Sequence, residues 1–225
     1  GVTGAEAPRR TIVSERLANA PRGIIPTRGQ LEPEARIKLF REQAESVHTT
    51  TVEVAGVADV PGEPGNKALR IVAKRESGAG IVDQWGNPLS YTSGKISSRS
   101  FVSVRYGMIE TRIRVPDLAN GGWPAFWMMG SNIATGTGWP NNGEIDIMEN
   151  VGFDPAFVHF NVHTKKYNHV DNTHKGSKTT IPNAASDFHV YALEWYPDRL
   201  DWFVDDKKFF TFRNEGTGKD AWPFD

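Results

Sequence analysis

The chain contains no cysteine. Thiol catalysis, cysteine-ligated zinc and disulfide stapling are therefore excluded, and redox chemistry gives no hint of compartment. Neither sign of charge is in excess: 26 Lys and Arg stand against 27 Asp and Glu, a formal net charge of −1. That excludes a nucleic-acid binder relying on a large basic surplus, and no nucleic-acid partner is expected. No apolar run approaches the ~20 residues that span a bilayer, so no membrane span is expected. No charged and apolar leader opens the chain, which begins Gly1-Val2-Thr3-Gly4, as in a cytosolic protein or one trimmed of its leader. At 225 residues, 24% of them charged, the chain is too long to need metal or disulfide staples and too mixed for wholesale disorder.

What the sequence does have is aromatics and turns: 12 Phe, 5 Tyr and 7 Trp, with 22 Gly and 14 Pro. That combination leans toward an all-β domain. Residues 1–30 are polar and without sustained period, an extended arm. In residues 31–47, Leu31, Ala35 and Leu39 form one row, and Ile37, Phe40, Ala44 and Val47 an adjacent stripe. This predicts a short amphipathic helix, with an irregular segment as the alternative. From residue 50 the pattern becomes that of strands: 50–57, 68–75, 101–115 with a bend at Gly107, and 187–195 covered on both faces. A Pro/Gly-rich turn is expected at 61–65, and 199–212 reads as a hairpin turning at Asp205-Asp206. Strands at such short spacing favour a sandwich or a barrel. The expected division is an atypical arm or helix over 1–49 and one β domain over 50–225.

The chemistry concentrates in Asn141-Asn142-Gly143-Glu144-Ile145-Asp146-Ile147-Met148-Glu149-Asn150. Strand residues alternate faces, so Glu144 and Asp146 share one. Glu149, five residues from Glu144, points the other way in a regular strand. A bulge at Met148, or at Ile147 beside it, resets the parity and brings Glu149 round to join them. The bland alternative is a half-exposed strand with its acids in water. Yet gathering three acids on one face is costly unless something uses them. Two carboxylates with a third between them equip a chain for retaining glycoside hydrolysis, with nucleophile and acid/base roughly 5–5.5 Å apart. The middle Asp can orient the nucleophile and split the two pKa values.

Just upstream stand Trp123 and Trp127, which share a strand face, and Trp139 follows. Indoles beside acids suit a sugar-stacking floor, because the C–H faces of a pyranose are apolar; ordinary core residues are the alternative.

Together these segments resemble glycoside hydrolase family 16. The pattern Glu-x-Asp-x-x-Glu stands as Glu144, Asp146 and Glu149, with Gly122-Trp123-Pro124-Ala125-Phe126-Trp127-Met128 and Gly138-Trp139-Pro140 beside it. Further similar motifs follow in the family's order: Tyr91-Thr92-Ser93-Gly94, Tyr106-Gly107 with Glu110-Thr111-Arg112-Ile113, and Val158-His159 through Val162-His163. Phe188-His189-Val190-Tyr191 to Glu194-Trp195, Pro197-Asp198 and Trp222-Pro223-Phe224-Asp225 complete a likeness over roughly residues 68–225. The resemblance implies a jelly roll of two antiparallel sheets with a concave substrate cleft. The extra residue before the last Glu resembles the laminarinase, agarase and carrageenase branches, bacterial laminarinases most of all.

By position, the resemblance makes Glu144 the nucleophile, Glu149 the acid/base and Asp146 the supporting acid. It puts Trp127, Trp123 and Trp139 along the cleft, His163 close to the carboxylates, and Arg112 at a sugar hydroxyl or in a structural salt bridge. The implied activity is retaining endo-hydrolysis of β-1,3-glucan, ahead of mixed-linkage β-1,3-1,4-glucan and sulfated galactans. No cofactor is required; a structural calcium belongs to the family but is not indicated by these residues. The partner is the polysaccharide, the chain is expected to act as a monomer, and a secreted, periplasmic or cell-surface location is expected. The family's opening strands have no counterpart in residues 1–60, and the domain is expected to lack the family's last strands.

Three rival readings stay open. His159, His163, His169 and His174 could bind zinc, although no fourth ligand is indicated by their spacing. A non-catalytic sugar-binding jelly roll would need the aromatics but not three acids. Lys165-Lys166 with Lys175 and Lys178 could meet an anionic polymer, or form a solvated loop.

Overall fold

The computed structural model describes residues 55–59, 67–76, 80, 82, 86–99, 102–117, 121–133, 135–136 and 138–225. The expected arm and helix over 1–49, and the turn at 61–65, lie outside the described residues. Two units are distinguished, one ending at Ser97 and one running from Ser98 to Asp225.

In the first unit, β1 (Ala55–Asp59) pairs antiparallel with β2 (Lys67–Ile71), Val57 opposite Leu69. The strand expected over 68–75 is broken: β3 (Lys74–Arg75) leaves β2 and pairs with β4 (Tyr91–Thr92). Thr92 Oγ1 donates to Glu76 Oε1 at 2.7 Å beside that pairing.

The second unit is two antiparallel four-stranded sheets. One runs β12-β11-β10-β5, from β5 (Gly107–Ile113), β10 (His189–Trp195), β11 (Arg199–Val204) and β12 (Lys207–Arg213). The other runs β6-β7-β8-β9, from β6 (Ala125–Met129), β7 (Glu144–Asn150), β8 (Phe157–His163) and β9 (Lys175–Thr180). No helix occurs among the described residues. This is the antiparallel β-sandwich of the jelly-roll class.

Alternation builds its core. On β8, Val158, Phe160 and Val162 are buried while His159, Asn161 and His163 take the opposite parity. Tyr191 and Leu193 on β10, and Leu200, Trp202 and Val204 on β11, join the same cluster. Each large apolar side chain so buried is worth ~1.5–3 kcal/mol. β10 also buries Ala192, so its centre is covered on both faces as the mixed parity predicts.

Turn chemistry sets the ends. Tyr106 and Gly107 both have positive φ, so the predicted bend delays β5 to Gly107. Asp205 and Asp206 have φ 47° and 66°, the left-handed pair a tight type I′ hairpin between β11 and β12 demands. At the entry to β7, Gly143 has φ 77°, and a Cβ there would stand 2.7 Å from Phe224 Cε1 and 2.8 Å from Pro223 Cγ. Glycine is thus required twice over, by backbone and by the closeness of the Trp222-Pro223-Phe224 segment. Trp222 is buried, and Trp195 Nε1 donates to the Phe224 carbonyl at 3.0 Å.

Candidate active site

β7 carries a bulge. Against β8, Asp146 pairs with Asn161 and Glu149 with His159, so Ile147 and Met148 together oppose Phe160 alone. Against β6, Trp127 pairs with Asp146 and Phe126 with Met148, which leaves Ile147 as the extra residue. Ile145, Ile147 and Met148 all enter the core. Glu144, Asp146 and Glu149 consequently lie on the face turned away from it. The two expected bulge positions are the two the structure uses.

β8 and β6 supply this face with neighbours. Glu144 stands opposite His163 and Met129, Asp146 opposite Asn161 and Trp127, Glu149 opposite His159 and Ala125. Phe126 and Met128 pack into the core, so Trp127 is on the acids' side. Trp139 Nε1 donates to Glu144 Oε2 at 2.5 Å. Trp123 Nε1 donates to Glu149 Oε1 at 2.8 Å, and Asn161 Nδ2 donates to Glu149 Oε2 at 2.8 Å. His163 Nε2 lies 3.3 Å from Asp146 Oδ2. Its buried Nδ1 has no hydrogen-bond partner among the described residues. His169 packs against both Trp139 and His163, with ring centroids 5.0 and 5.1 Å away, and extends the aromatic wall.

Electrostatics separates the acids. Asp146 is 3% exposed. Burial pushes it up to about 8, and the charge of Glu149 pushes the same way against a hydrogen bond with Glu144. Burial, then the Asp146 charge, pushes Glu144 up to about 7, opposed by the Trp139 N–H and by His163. Burial and mutual repulsion thus push both members of the Glu144–Asp146 pair upward, and they titrate as a coupled pair. Burial lowers His163, with Glu144 and then Glu149 pulling back.

The structure thus brings together Glu144, Asp146, Glu149, Trp123, Trp127, Trp139 and His163. It does not bring Arg112 to them. That residue lies on β5, in the other sheet, across from Val190, with its guanidinium 4.5 Å over the Phe188 ring. The reason is long-range pairing: β5 joins β10, a partner no local pattern reveals. Two residues at the site escaped the sequence. Asn161 could have been found by parity, since it alternates with His159 and His163. Phe153, whose ring meets Trp123 edge-on at 6.2 Å, sits in a turn with no periodic signal.

Of the basic cluster, Lys165 pairs with Asp220, Lys166 with Glu215 and Lys178 with Asp154, which favours the solvated-loop reading. Among the described residues no group of three or more His, Asp or Glu side chains is placed to hold a metal ion. Chemically, a face with three carboxyls and indoles alongside suits the cleavage of an acetal held against apolar walls.

The family model described as glycosyl hydrolases family 16 matches residues 56–225. A β-glucanase of Rhodothermus marinus is 48% identical over 141 residues, covering 60% of this chain and 49% of that protein. The solved laminarinase from Rhodothermus marinus superposes with TM-score 0.64 at 40% identity, over 78% of this chain and 66% of that one. A solved non-specific endo-β-1,3(4)-glucanase gives TM-score 0.62 at 38% identity, over 69% of this chain and 57% of its own. The chain spans about half the length of the first of these relatives.

Proposed function

Since the chain belongs to glycosyl hydrolases family 16, we propose that it cleaves β-1,3-glucan internally, with retention at the anomeric carbon. One observation carries the reading: the β7 bulge turns Glu144, Asp146 and Glu149 to one face, beside Trp123, Trp127 and Trp139.

In the proposed first step the Glu144 carboxylate attacks the anomeric carbon. The glycosidic C–O bond breaks, and the proton on Glu149 passes to the leaving oxygen. In the second step Glu149 takes a proton from water, whose oxygen displaces Glu144 and frees the sugar. Burial raises Asp146, so a proton shared with Glu144 spares the nucleophile a second full charge beside it. Trp139 steadies the ionised nucleophile through its N–H. Each proton has a carboxyl or water to hold it, so no cofactor is invoked.

The likeness to a β-glucanase and a laminarinase supports β-1,3-glucan. The likeness to a non-specific endo-β-1,3(4)-glucanase supports mixed-linkage β-1,3-1,4-glucan as a second substrate. A polymer of that size does not enter cells, which supports action outside the cytoplasm. All the named groups come from one chain, which supports a monomer. The test is a panel of laminarin, mixed-linkage glucan and sulfated galactan, with NMR of the first-formed anomer. Laminarin cleaved to a β-anomer is expected. An initial α-anomer, or binding without reducing-sugar release, overturns the reading.

A further inference from the structure

Glu149 is held at both oxygens by N–H donors, Oε1 by the Trp123 indole and Oε2 by the Asn161 amide, each at 2.8 Å. A carboxylate accepts at both oxygens, whereas a carboxylic acid must present an O–H at one. To protonate a glycosidic oxygen, Glu149 needs the oxygen that carries its proton to face the substrate. Each oxygen keeps a second lone pair beside its N–H, but a donor lying on the substrate-facing oxygen crowds the approach of the sugar.

The surroundings decide which donor gives way. Asn161 sits within β8, directly across from Asp146, and its Oδ1 is backed by Gly176, where any Cβ would collide with it. Trp123 lies ahead of β6 and is 61% exposed, beside the still more exposed Phe153. The indole stands at the open surface; the amide is walled in.

We propose that the Trp123 indole is a latch on Glu149 that the arriving sugar displaces, while Asn161 is the fixed positioning residue that keeps the carboxyl aimed. A pyranose stacking on the indole draws the ring off Oε1 and brings the glycosidic oxygen to the place the N–H vacates. In the empty site the latch holds Oε1, and binding frees that oxygen to face the glycosidic oxygen. Among the described residues of the paired strands, the titratable groups on this face are Asp146 and Glu144 on its own strand and His159 and His163 on β8; β6 contributes none. The latch rests on the reading of Glu149 as the acid.

The test follows the Trp123 indole and Asn161 amide resonances by 1H–15N NMR, assigned with Trp123→Phe and Asn161→Ala. In the protein without sugar, acidification through the titration of the Glu149 carboxyl carbon should move the Trp123 indole to a solvent-exposed position and leave Asn161 in place. If Asn161 moves and Trp123 stays, or if neither moves, the latch is wrong. A β-1,3-glucan hexasaccharide added to Glu144→Gln should produce the same displacement at saturation. Binding that perturbs β7 but leaves the indole bonded overturns the latch and spares the glucan reading. Failure of the hexasaccharide to bind counts against the glucan reading alone, and the sugar-free titration still decides the latch.

Discussion

Trp202 on β11 donates its indole N–H to the backbone carbonyl of Asp146 on β7, 2.8 Å away and fully buried. The bond crosses the sandwich and ends on the middle acid, immediately before the bulge. One face of Asp146 thus belongs to the core and the other to the site.

Trp202→Phe keeps the aromatic packing and removes this donor. A buried acceptor losing its partner costs ~1–3 kcal/mol. At ~2–4 °C per kcal/mol for a domain of this size, melting should fall by several degrees in calorimetry. The kcat should drop with it, because the bulge loses its anchor. A melting temperature equal to that of the unmutated protein would show that the bond contributes nothing.

Glu144→Ala and Glu149→Ala should each cut turnover of laminarin by ~10²–10⁴-fold or more. Azide separates their roles. With an activated aryl glucoside donor, Glu149→Ala should recover through a β-glycosyl azide, since the covalent intermediate still forms. Glu144→Ala should recover through an α-glycosyl azide, since azide then replaces the nucleophile. Exchange of the two products would reverse the assignment.

Asp146 carries a stability cost that depends on pH. Its folded value, about 8, lies above the ordinary 3.8, so the folded state binds the proton more tightly. Below the unfolded value both states are protonated and nothing is lost. As pH rises toward the folded value, the unfolded chain ionises freely and the folded one does not, so stability falls. Asp146→Asn should therefore lie closest to the unmutated protein near pH 4 and gain on it steadily toward pH 8, where it should melt clearly higher. The same change removes the carboxyl that shares a proton with Glu144, so turnover should drop and the acid limb of kcat/KM, expected at about 7, should move. Equal melting curves at every pH would show that the buried carboxyl is not strained.

The carboxylate face was legible in the sequence because parity is local. Glu144 and Asp146 share a face by spacing alone, and only a bulge at Ile147 or Met148 lets Glu149 join them. The hairpin at Asp205-Asp206 was legible for the same reason. Arg112 was not, because its sheet is fixed by the pairing of β5 with β10, far along the chain. Nor were the donors to Glu149, since Trp123 and Asn161 reach it from two different strands' neighbourhoods and meet only when β6, β7 and β8 are in register. Periodicity gives the face of a residue, not its partner across the sheet.

Gly143 offers the sharpest local test of how the site is positioned. Its φ of 77° is costly for any side chain, and an added Cβ would meet Phe224 and Pro223 well inside van der Waals contact. Glu144 follows it directly, so strain relieved by shifting this segment shifts the nucleophile. Gly143→Ala should cost ~1–3 kcal/mol from the backbone alone, with more from the clash. Turnover should fall further than KM changes, because Glu144 moves relative to the anomeric carbon while the indoles stay. Phe224→Ala opens the space the methyl needs. In a double-mutant cycle, Gly143→Ala should then be less damaging in the Phe224→Ala background by ~1 kcal/mol, while the backbone cost remains. Strict additivity would mean that the terminal Trp222-Pro223-Phe224 segment does not brace the start of β7.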